Sequence, residues 1–351
     1  MSVVLLARTD AHLADLPPQS RVDDWAAAVL GKLEQVGELT HRVDGVLDGG
    51  DLFHVKSPSR TTHELIQRVS AVHAKYHCPV FGNVGNHDVK YGDIRFLPEA
   101  PLGVLFESRV IHPCFDEDEI FFGPATSNAE GVTWYPFNRK TGWSKKGDPF
   151  KGNHREPIVR VVGIPYHGTT YDMNRFTTIT KGEEDFLVVM AHCLASSQGG
   201  SMFEAEDIIR YADLRNLDPD VWFFGHWHKD QGITNIAPGK WVVNPGSLSR
   251  GALTQDEMTR IPQVVRMTFG PRVDIESIHL KVAPASEVFD VAGKIRQEGK
   301  QITVDALVES LKMALAKPQE GSLLDEVRGM ADVPPPVVER TVGYLERAGA
   351  R

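Results

Sequence analysis

The sequence predicts an α/β protein built on largely parallel strands, and two observations support this fold class. Through the first two-thirds of the chain, short apolar runs of strand length alternate with segments whose apolar residues recur at helical spacing. Such alternation is typical of parallel strands joined by helical crossovers. The composition agrees, because 41% hydrophobic and 24% charged residues are ordinary values for a chain that buries a core.

Length and charge restrict the classes of protein. The 351 residues predict one large domain with an appendage, or two domains. The net charge of -9 argues against a uniformly basic surface that coats nucleic acid, but a local basic groove or phosphate binding through cations stays open. The cysteines, Cys78, Cys114 and Cys193, form no disulfide framework and fit a reducing compartment. No apolar run has the length of a membrane-spanning helix, so we expect a cytoplasmic protein with no membrane association.

The elements are predicted in chain order from the apolar pattern. The run VVLLA is too short for a signal sequence and follows no basic segment, so it predicts a first buried strand. The following elements are a helix with Val22, Trp25, Val29, Leu33 and Val36 on one face, a strand over 43–51, a helix over 61–77 and a strand over 78–85. Later strands are predicted within EPIVRVVGIP, DFLVVMAH, DVWFFGH, KWVVNPG and PQVVRMTF. Three histidines of the 61–77 helix, His63, His73 and His77, are expected to be solvated.

Two segments depart from this pattern. The stretch 123–156 has no clear period, which predicts a long irregular segment that is functional or mobile. The tail has helix-spaced apolar residues from 304 to 315 and again after the prolines at 334–336, which predicts a small helical appendage. We therefore divide the chain into a domain over 1–285 and a helical region over 286–351.

Polar side chains follow five of the predicted strands at the point where each strand ends. They are Asp10, His12, Asp51, Asn86, His192, His226 and His228. Because the carboxyl ends of strands in an open α/β sheet share one rim, we expect these side chains to converge. Imidazoles and carboxylates together are ligands for Mn²⁺, Fe²⁺ or Zn²⁺. Seven ligands exceed the need of one ion and fit two metals that share a carboxylate, about 3.5–4 Å apart.

The ordered motifs D-x-H, G-G-D, G-N-H-D, a lone strand-end His and G-H-x-H resemble the calcineurin-like metallophosphoesterases, over residues 3–285. Within that family, GGDLFHVKSPSR at 49–60 and NPGSLSR at 244–250 are similar to the SbcD-type, meiotic-recombination-nuclease-like subunit of a DNA repair complex. The resemblance implies a four-layer α/β/β/α sandwich and two divalent metals, most often Mn²⁺, with Mg²⁺, Fe²⁺ or Zn²⁺ as alternatives. It also implies DNA as substrate and an SMC-like coiled-coil ATPase of the SbcC type as partner, docked on 286–351. A homodimer is a further implication, with 61–77 and 94–108 as its candidate surfaces.

The resemblance also implies a role for each site residue. One metal takes Asp10, His12, Asp51 and His228, and the other takes Asp51, Asn86, His192 and His226. His87 faces the scissile phosphate and either stabilises its charge or protonates the leaving oxygen. Asp88 holds the His87 imidazole, and His54 helps to position the nucleic acid. The sequence ARTDAH lacks the Ser that commonly precedes the first Asp of this family, which leaves the ligand pair itself unaffected.

Each motif residue also has a plainer interpretation. Taken alone, His192 is more typical of a core histidine than of a ligand. Asp10 and Asp51 could be helix N-caps, and Asn86 could be a turn residue after Gly85. The ordered set favours ligands, because all five strand ends carry a suitable side chain.

A basic, aromatic segment, WYPFNRKTGWSKKGDPFKGNHR, occupies 134–155. Its cations could neutralise phosphates and its aromatic rings could stack on bases. The candidate nucleic-acid contacts are Arg139, Lys140, Trp143, Lys145 and Lys146. A solvated loop whose aromatic residues anchor it to the domain is an equal alternative.

These features together predict a two-metal-dependent DNA exonuclease or endonuclease that acts in end processing, repair or recombination. One alternative is a small-molecule phosphodiesterase or phosphoprotein phosphatase on the same scaffold. Another, from a different class, is a non-catalytic scaffold that assembles a repair complex.

Overall fold

The computed structural model describes residues 2–54, 61–124, 131–143, 150, 156–198, 206–290, 327–328 and 335–347. The chain divides into two compact units, residues 1–289 and 290–351. In the described part of the chain, all strands belong to the first unit. None of the described helices is both long and apolar enough to cross a bilayer.

The described strands, in chain order, are β1 (Val3–Arg8), β2 (Gly45–Asp48), β3 (Val80–Gly82), β4 (His112–Pro113), β5 (Asp118–Pro124), β6 (Val132–Asn138), β7 (Gly142–Trp143), β8 (Val159–Ile164), β9 (Phe186–His192), β10 (Ala195–Ser196), β11 (Ile209–Arg210), β12 (Val221–Gly225), β13 (Gly232–Ala237), β14 (Lys240–Asn244), β15 (Gln263–Phe269) and β16 (Val273–His279). The α-helices are α1 (Trp25–Leu39), α2 (His63–His73), α3 (Pro101–Glu107), α4 (Asn174–Thr177), α5 (Tyr211–Leu214), α6 (Gln255–Thr259), α7 (Ala285–Val288) and α8 (Pro335–Arg347). Short 3-10 helices cover Thr40–Arg42, Lys90–Gly92 and Ile94–Glu99.

The first unit is a four-layer α/β/β/α sandwich, which confirms the predicted fold class. A six-stranded sheet has the order β16-β15-β1-β2-β3-β4, and an eight-stranded sheet has the order β13-β14-β12-β9-β8-β5-β6-β7. Apolar side chains from both sheets, among them Leu5 and Val188, form the core between them. The helices α1, α2 and α3 pack on the outer face of the first sheet, and α4 and α5 pack on the outer face of the second.

The helix α1 begins one turn later than its apolar pattern predicts. The side chain of Asp24 accepts a hydrogen bond from the backbone amide of Ala27 and caps the first turn. Val22 therefore lies before the helix and is 62% exposed. The remaining predicted face, with Trp25 and Leu33 among its residues, is buried against the sheet.

The strands are less uniformly parallel than the sequence predicts. β1 to β4 are parallel, as are β8, β9, β12 and β14, but β5, β6 and β7 form an antiparallel meander. The prediction of an irregular segment over 123–156 is therefore wrong for residues 131–143, which form β6 and β7. Cross-strand aromatic pairs such as Phe121 with Tyr135 stabilise this meander. The apolar residues of this segment follow neither helical spacing nor strict alternation, so the sequence pattern did not predict strands here.

His73 is buried, contrary to the expectation that it is solvated. Its ring nitrogen Nδ1 donates to the carbonyl of Val69 (2.8 Å), and Nε2 accepts from the buried guanidinium of Arg8 (2.6 Å). That guanidinium also donates to Asp48 (2.9 Å) and to the hydroxyl of Tyr76 (2.7 Å). The network attaches α2 to β1 and β2 beneath the strand ends.

Candidate metal centre

The candidate site lies where the carboxyl ends of the two sheets meet. In the six-stranded sheet, β1, β2 and β3 end shortly before Asp10, Asp51 and Asn86. In the eight-stranded sheet, β9 ends at His192 and β12 ends just before His226. The sandwich therefore brings together residues from two sheets, whereas the sequence predicted that all of these residues lie on the rim of one sheet.

Hydrogen bonds join the two rims directly. The side-chain amide of Asn83, after β3, donates to the carbonyls of Ile164 (2.8 Å) and Met190 (3.2 Å) in the other sheet. His192 Nδ1 donates to the carbonyl of Gly49 (2.9 Å). Because Nδ1 donates to that carbonyl, Nε2 of His192 is the nitrogen that faces the site, and it can bind a cation once it loses its own proton.

Asp10, His12, Asp51 and His228 form the first ligand group. Their candidate ligand atoms all lie within 4.8 Å of one another. His12 Nε2 is 3.7 Å from Asp10 Oδ1 and 3.7 Å from Asp51 Oδ2. It is also 2.8 Å from His228 Nε2, which is itself 3.6 Å from Asp10 Oδ1. Four donor atoms thus surround one point.

Asp51, His192 and His226 form the second ligand group, within the same 4.8 Å limit. His192 Nε2 lies 3.3 Å from Asp51 Oδ2, and the rings of His192 and His226 are 5.1 Å apart. Asn86 precedes His87, whose backbone amide donates to Asp51 Oδ1 (2.7 Å), so the Asn86 backbone lies at this group too. Asp51 belongs to both groups, as a bridging carboxylate must.

The backbone at these positions is strained. Asp10, His12, Asp51 and His226 all have positive φ, between 51° and 86°. Residues other than glycine adopt this left-handed region rarely, and such strain concentrates at functional sites. Gly85 contributes by lacking a side chain, because a Cβ there would lie 2.1 Å from Asp51 Oδ1.

The donor set fits two divalent cations. Three of the predicted ligand atoms are buried and have no hydrogen-bond partner among the described residues: Asp51 Oδ2, Asn86 Oδ1 and His192 Nε2. A buried acceptor without a partner is costly, and a cation bound by all three atoms would remove that cost. Imidazole, carboxylate and amide oxygen together favour Mn²⁺, Fe²⁺ or Zn²⁺ over Ca²⁺.

The charges of the two groups are coupled. Burial opposes ionisation of Asp10 and Asp51, but the surrounding histidines outweigh burial and hold the pKa of each carboxyl below its usual range. Burial lowers the pKa of His192, but the charge of Asp51 outweighs that effect and raises this pKa to about 10. The pKa of His12 is raised in the same way, against burial, by Asp10 and Asp51. The two carboxylates therefore attract positive charge to this point of the fold.

Glu206 is a site residue that the sequence analysis missed. Its Oε1 accepts from His226 Nε2 (3.0 Å) and from the Tyr171 hydroxyl (2.6 Å). A carboxylate on one ring nitrogen fixes the tautomer and leaves Nδ1 of His226 as the candidate ligand atom. No motif marks Glu206, which follows no apolar strand; only its contact with His226 identifies it.

His54 and His87, predicted as catalytic residues, lie beside the first ligand group. Their rings are 4.5 Å apart, and His12 is 4.8 Å from His87 and 5.4 Å from His54. The candidate ligand atoms of His12, His54 and His87 also lie within 4.8 Å of one another. Because His12 already belongs to the first ligand group, His54 and His87 lie at the edge of that group, and their contact with a substrate stays a prediction.

The hydrogen bonds of Asp88 lead to the backbone. Its carboxylate accepts three hydrogen bonds from backbone amides, those of Asp51 (2.7 Å), Phe53 (2.8 Å) and Gly85 (2.9 Å). A fully buried carboxylate needs several donors, and the turn amides supply them. Asp88 therefore holds together the loops that follow β2 and β3, and its orienting of the His87 imidazole stays a prediction.

The described residues of the basic, aromatic segment make contacts within the protein. Arg139 pairs with Glu119 (3.2 Å), and Lys140 pairs with Glu117 (3.4 Å). Trp143 packs against Phe121, with ring centroids 4.7 Å apart. These contacts favour the alternative of aromatic residues that anchor the segment, and nucleic-acid contact by Arg139, Lys140 and Trp143 stays a prediction. Lys145 and Lys146 lie outside the described residues.

The comparison with protein families agrees with this geometry. The profile of the calcineurin-like phosphoesterase family matches residues 8–230. Among solved structures, a purple acid phosphatase isolated from yellow lupin (Lupinus luteus) seeds is 14% identical, with a TM-score of 0.44. The match covers 83% of this chain but only 53% of the phosphatase, so this chain spans about half of its length. No curated protein matches the sequence significantly. The chain belongs to the calcineurin-like phosphoesterase family, whose members use divalent metals to hydrolyse phosphoesters.

Proposed function

We propose that this calcineurin-like phosphoesterase is a two-metal DNA phosphodiesterase, acting as the nuclease subunit of an SbcCD-like complex in DNA end processing. The observation that carries the proposal is the position of Asp51. It belongs to two groups of metal-ligand side chains, and the His54 and His87 rings lie beside the first of them. This arrangement suits an in-line displacement at one phosphate.

The residues of the chain would divide the reaction between them. When bound, the two cations supply Lewis acidity, activate water and hold the phosphate oxygens. Asp10, His12, Asp51 and His228 would hold one cation, and Asp51, Asn86, His192 and His226 would hold the other, with Asp51 shared between them. The backbone amide of His87 donates to Asp51 Oδ1, which positions the residue beside the site. From there a ring nitrogen of His87 protonates the leaving sugar oxygen. His54, 4.5 Å from His87, contacts the nucleotide next to the scissile bond.

Two sequence segments support DNA as the substrate. GGDLFH at 49–54 and NPGSLSR at 244–250 resemble the SbcD-type nucleases. The second segment also supports the site, because the Ser247 hydroxyl donates to the backbone carbonyl of Asp10 (2.7 Å). Small-molecule phosphodiesterases do not require these segments, which is why we favour DNA.

A nuclease assay tests the proposal. We expect the purified chain to cut linear and hairpin DNA with Mn²⁺ and to be inactive with EDTA. His87→Ala should lower the rate by about 10²- to 10⁴-fold, the usual contribution of a general acid. The control His63→Ala changes an exposed residue and should leave the rate unchanged.

The same assay includes bis(p-nitrophenyl) phosphate and p-nitrophenyl phosphate. If the chain hydrolyses either small ester but cleaves no DNA with any of the metals, its function is that of a small-molecule hydrolase and not of a nuclease. If two metals bind but none of the substrates is cleaved, the chain is a scaffold.

We further propose that residues 286–351 dock an SMC-like coiled-coil ATPase. The described helix α8 has Val338 and Val342 one turn apart on one face, a pattern that suits a groove on a partner. Val338→Glu with Val342→Glu should abolish co-purification with a co-expressed ATPase and spare Mn²⁺-dependent cleavage. Retained co-purification would rule out docking through α8.

A further inference from the structure

A cavity of about 210 Å³ opens directly beside the candidate metal centre. One of its sides consists of His12 and His228, both members of the first ligand group, together with His54. A phosphate held by that group would therefore place its substituent at the mouth of the cavity.

Most of the cavity wall is apolar. Ala14, Leu16, Pro18 and Trp25 contribute to it. The indole nitrogen of Trp25 donates to the carbonyl of His12 (3.1 Å), which fixes the ring against the ligand loop. Leu16, at the rim, is 58% exposed, an unusual position for a large apolar side chain beside a charged centre. Trp25 itself is only 2% exposed, so the open apolar surface comes from Leu16 and Pro18, with the His54 ring beside them, and such a surface suits a flat ring system.

The opposite side is polar in one place. This side is formed by Ser249, Gly251, Ala252 and Glu257. The carboxylate of Glu257 accepts a hydrogen bond from the backbone amide of Ala252 (2.6 Å). Glu257 is only 6% exposed, and it lines the cavity. A few fixed polar groups in an otherwise apolar cavity give a bound ligand its orientation, and this one accepts from N–H groups.

The polar side is held rigidly. Arg260 donates to the carbonyls of Ser247 and Ser249, the latter at 2.9 Å. Arg21 donates to the carbonyl of Arg250 (2.7 Å). Because these buried guanidinium groups fix the backbone of the wall, the cavity is formed before a ligand enters, which lowers the entropic cost of binding.

We propose that this cavity binds the nucleobase of the nucleotide whose phosphate occupies the metal centre, an inference that rests on the function proposed above. Its volume lies below the roughly 300–1,000 Å³ of pockets for drug-sized ligands, so it suits one ring system instead of a whole nucleotide. Leu16 and Pro18 enclose the base, with the His54 ring beside them, and Glu257 accepts from its N–H groups.

Calorimetry on the full, Mn²⁺-loaded chain tests the cavity without relying on turnover. The ligands are deoxyadenosine 5′-monophosphate, deoxyribose 5-phosphate and phosphotyrosine. We expect the nucleotide to bind about 10-fold or more tighter than the sugar phosphate, because stacking of one base on aromatic residues contributes about 1–3 kcal/mol. Phosphotyrosine should bind more weakly than the nucleotide, since its ring carries no N–H for Glu257.

Two variants should remove this preference. Ala252→Phe fills the cavity from an exposed position, and Leu16→Asp makes the rim polar. In both, the nucleotide and the sugar phosphate should bind about equally. Ala71→Phe, the same change at an exposed position of α2, is the matched control and should keep the preference.

Equal affinities of the two ligands for the unmodified chain would overturn the proposal, as would a preference that survives both cavity variants. Phosphotyrosine binding as tightly as the nucleotide would assign the cavity to a peptide ring and also overturn it. A chain that prefers the nucleotide in this way but cuts no DNA would refute the nuclease assignment and leave the base site standing.

Discussion

Glu206 Oε1 lies 3.0 Å from Nε2 of His226, and this contact decides which nitrogen of His226 faces the candidate metal centre. With Nε2 donating to the carboxylate, Nδ1 keeps its lone pair for a cation. The contact joins a residue of no recognised motif to the first histidine of GHWH.

The first prediction concerns metal affinity. Glu206→Ala should weaken the second metal by about 10- to 100-fold, the usual effect of removing a partner of a ligating histidine. Glu206→Gln, which can still accept from Nε2, should weaken it less. Competition with a chelator measures the affinity, and circular dichroism checks the fold. Glu183→Ala, at an exposed position, is the control. Unchanged affinity in Glu206→Ala would show that the contact does not position His226.

The second prediction concerns the shared carboxylate. Asp51→Asn should reduce the bound metal to less than one ion per chain, because both ligand groups lose an anionic oxygen. His228→Ala should lower the content by about one ion, since His228 belongs only to the first group. Elemental analysis after dialysis distinguishes the two. Equal losses from both variants would contradict the bridging position of Asp51.

Metal uptake should release protons, which is the third prediction. The pKa of His192 is raised to about 10, so without a cation this imidazole is protonated at pH 7, and the pKa of His12 is raised as well. A cation binds neutral imidazole, so it must displace these protons, and the metal affinity should increase with pH from 6 to 9. Calorimetry in two buffers of different ionisation enthalpy counts the protons. Binding enthalpies that are identical in the two buffers would refute the prediction.

The fourth prediction concerns stability against pH. Burial, followed by the charge of Arg8, lowers the pKa of His73 from 6.5 to about 3. Between these values the unfolded chain binds a proton that the folded chain does not. His73 thus stabilises the fold fully above pH 6.5, and this contribution is lost as the pH falls toward 3, by up to about 1.4 kcal/mol per pH unit.

Urea unfolding from pH 7 to pH 4 measures this dependence. His73→Gln, which can still accept from Arg8, should flatten the slope relative to the unmodified chain. His63→Gln, on the exposed face of the same helix, should not. Parallel curves for all three chains would show that His73 binds protons equally in both states.

The fifth prediction distinguishes the two roles considered for Asp88. Asp88→Asn leaves one acceptor oxygen for three backbone amides, so the free energy of unfolding should fall by about 1–3 kcal/mol. Asp274→Asn, on an exposed stretch of β16, should change it by less than about 0.5 kcal/mol. A shifted pH profile of cleavage with unchanged stability would instead restore the role of orienting His87.

The strand ends were predictable because two local signals coincide there. A short apolar run indicates a buried strand, and the first polar residues after it mark where the chain leaves the core. Asp10 after β1, Asp51 after β2 and His192 at the end of β9 are identified in this way. The rule that such ends share a rim then predicts their convergence without coordinates.

Contacts between distant side chains were not predictable in this way. The pairing of Arg139 with Glu119 and of Glu206 with His226 follows from the register of strands and the path of loops. The cavity beside His12 likewise depends on hydrogen bonds from Arg21 and Arg260 to the backbone carbonyls of residues 247–252, which form one side of the cavity. No period or motif in the sequence encodes these distances.

The sequence by itself determined the α/β fold class and the chemical types of the side chains at the strand ends, because hydrophobic patterning and strand length are local properties. Only the tertiary structure decided that both sheets contribute to one centre, that Asp88 serves the backbone, and that Glu206 joins the site. The physical reason is that hydrogen bonding, burial and charge coupling depend on distances between atoms, and those distances exist only after the chain has folded.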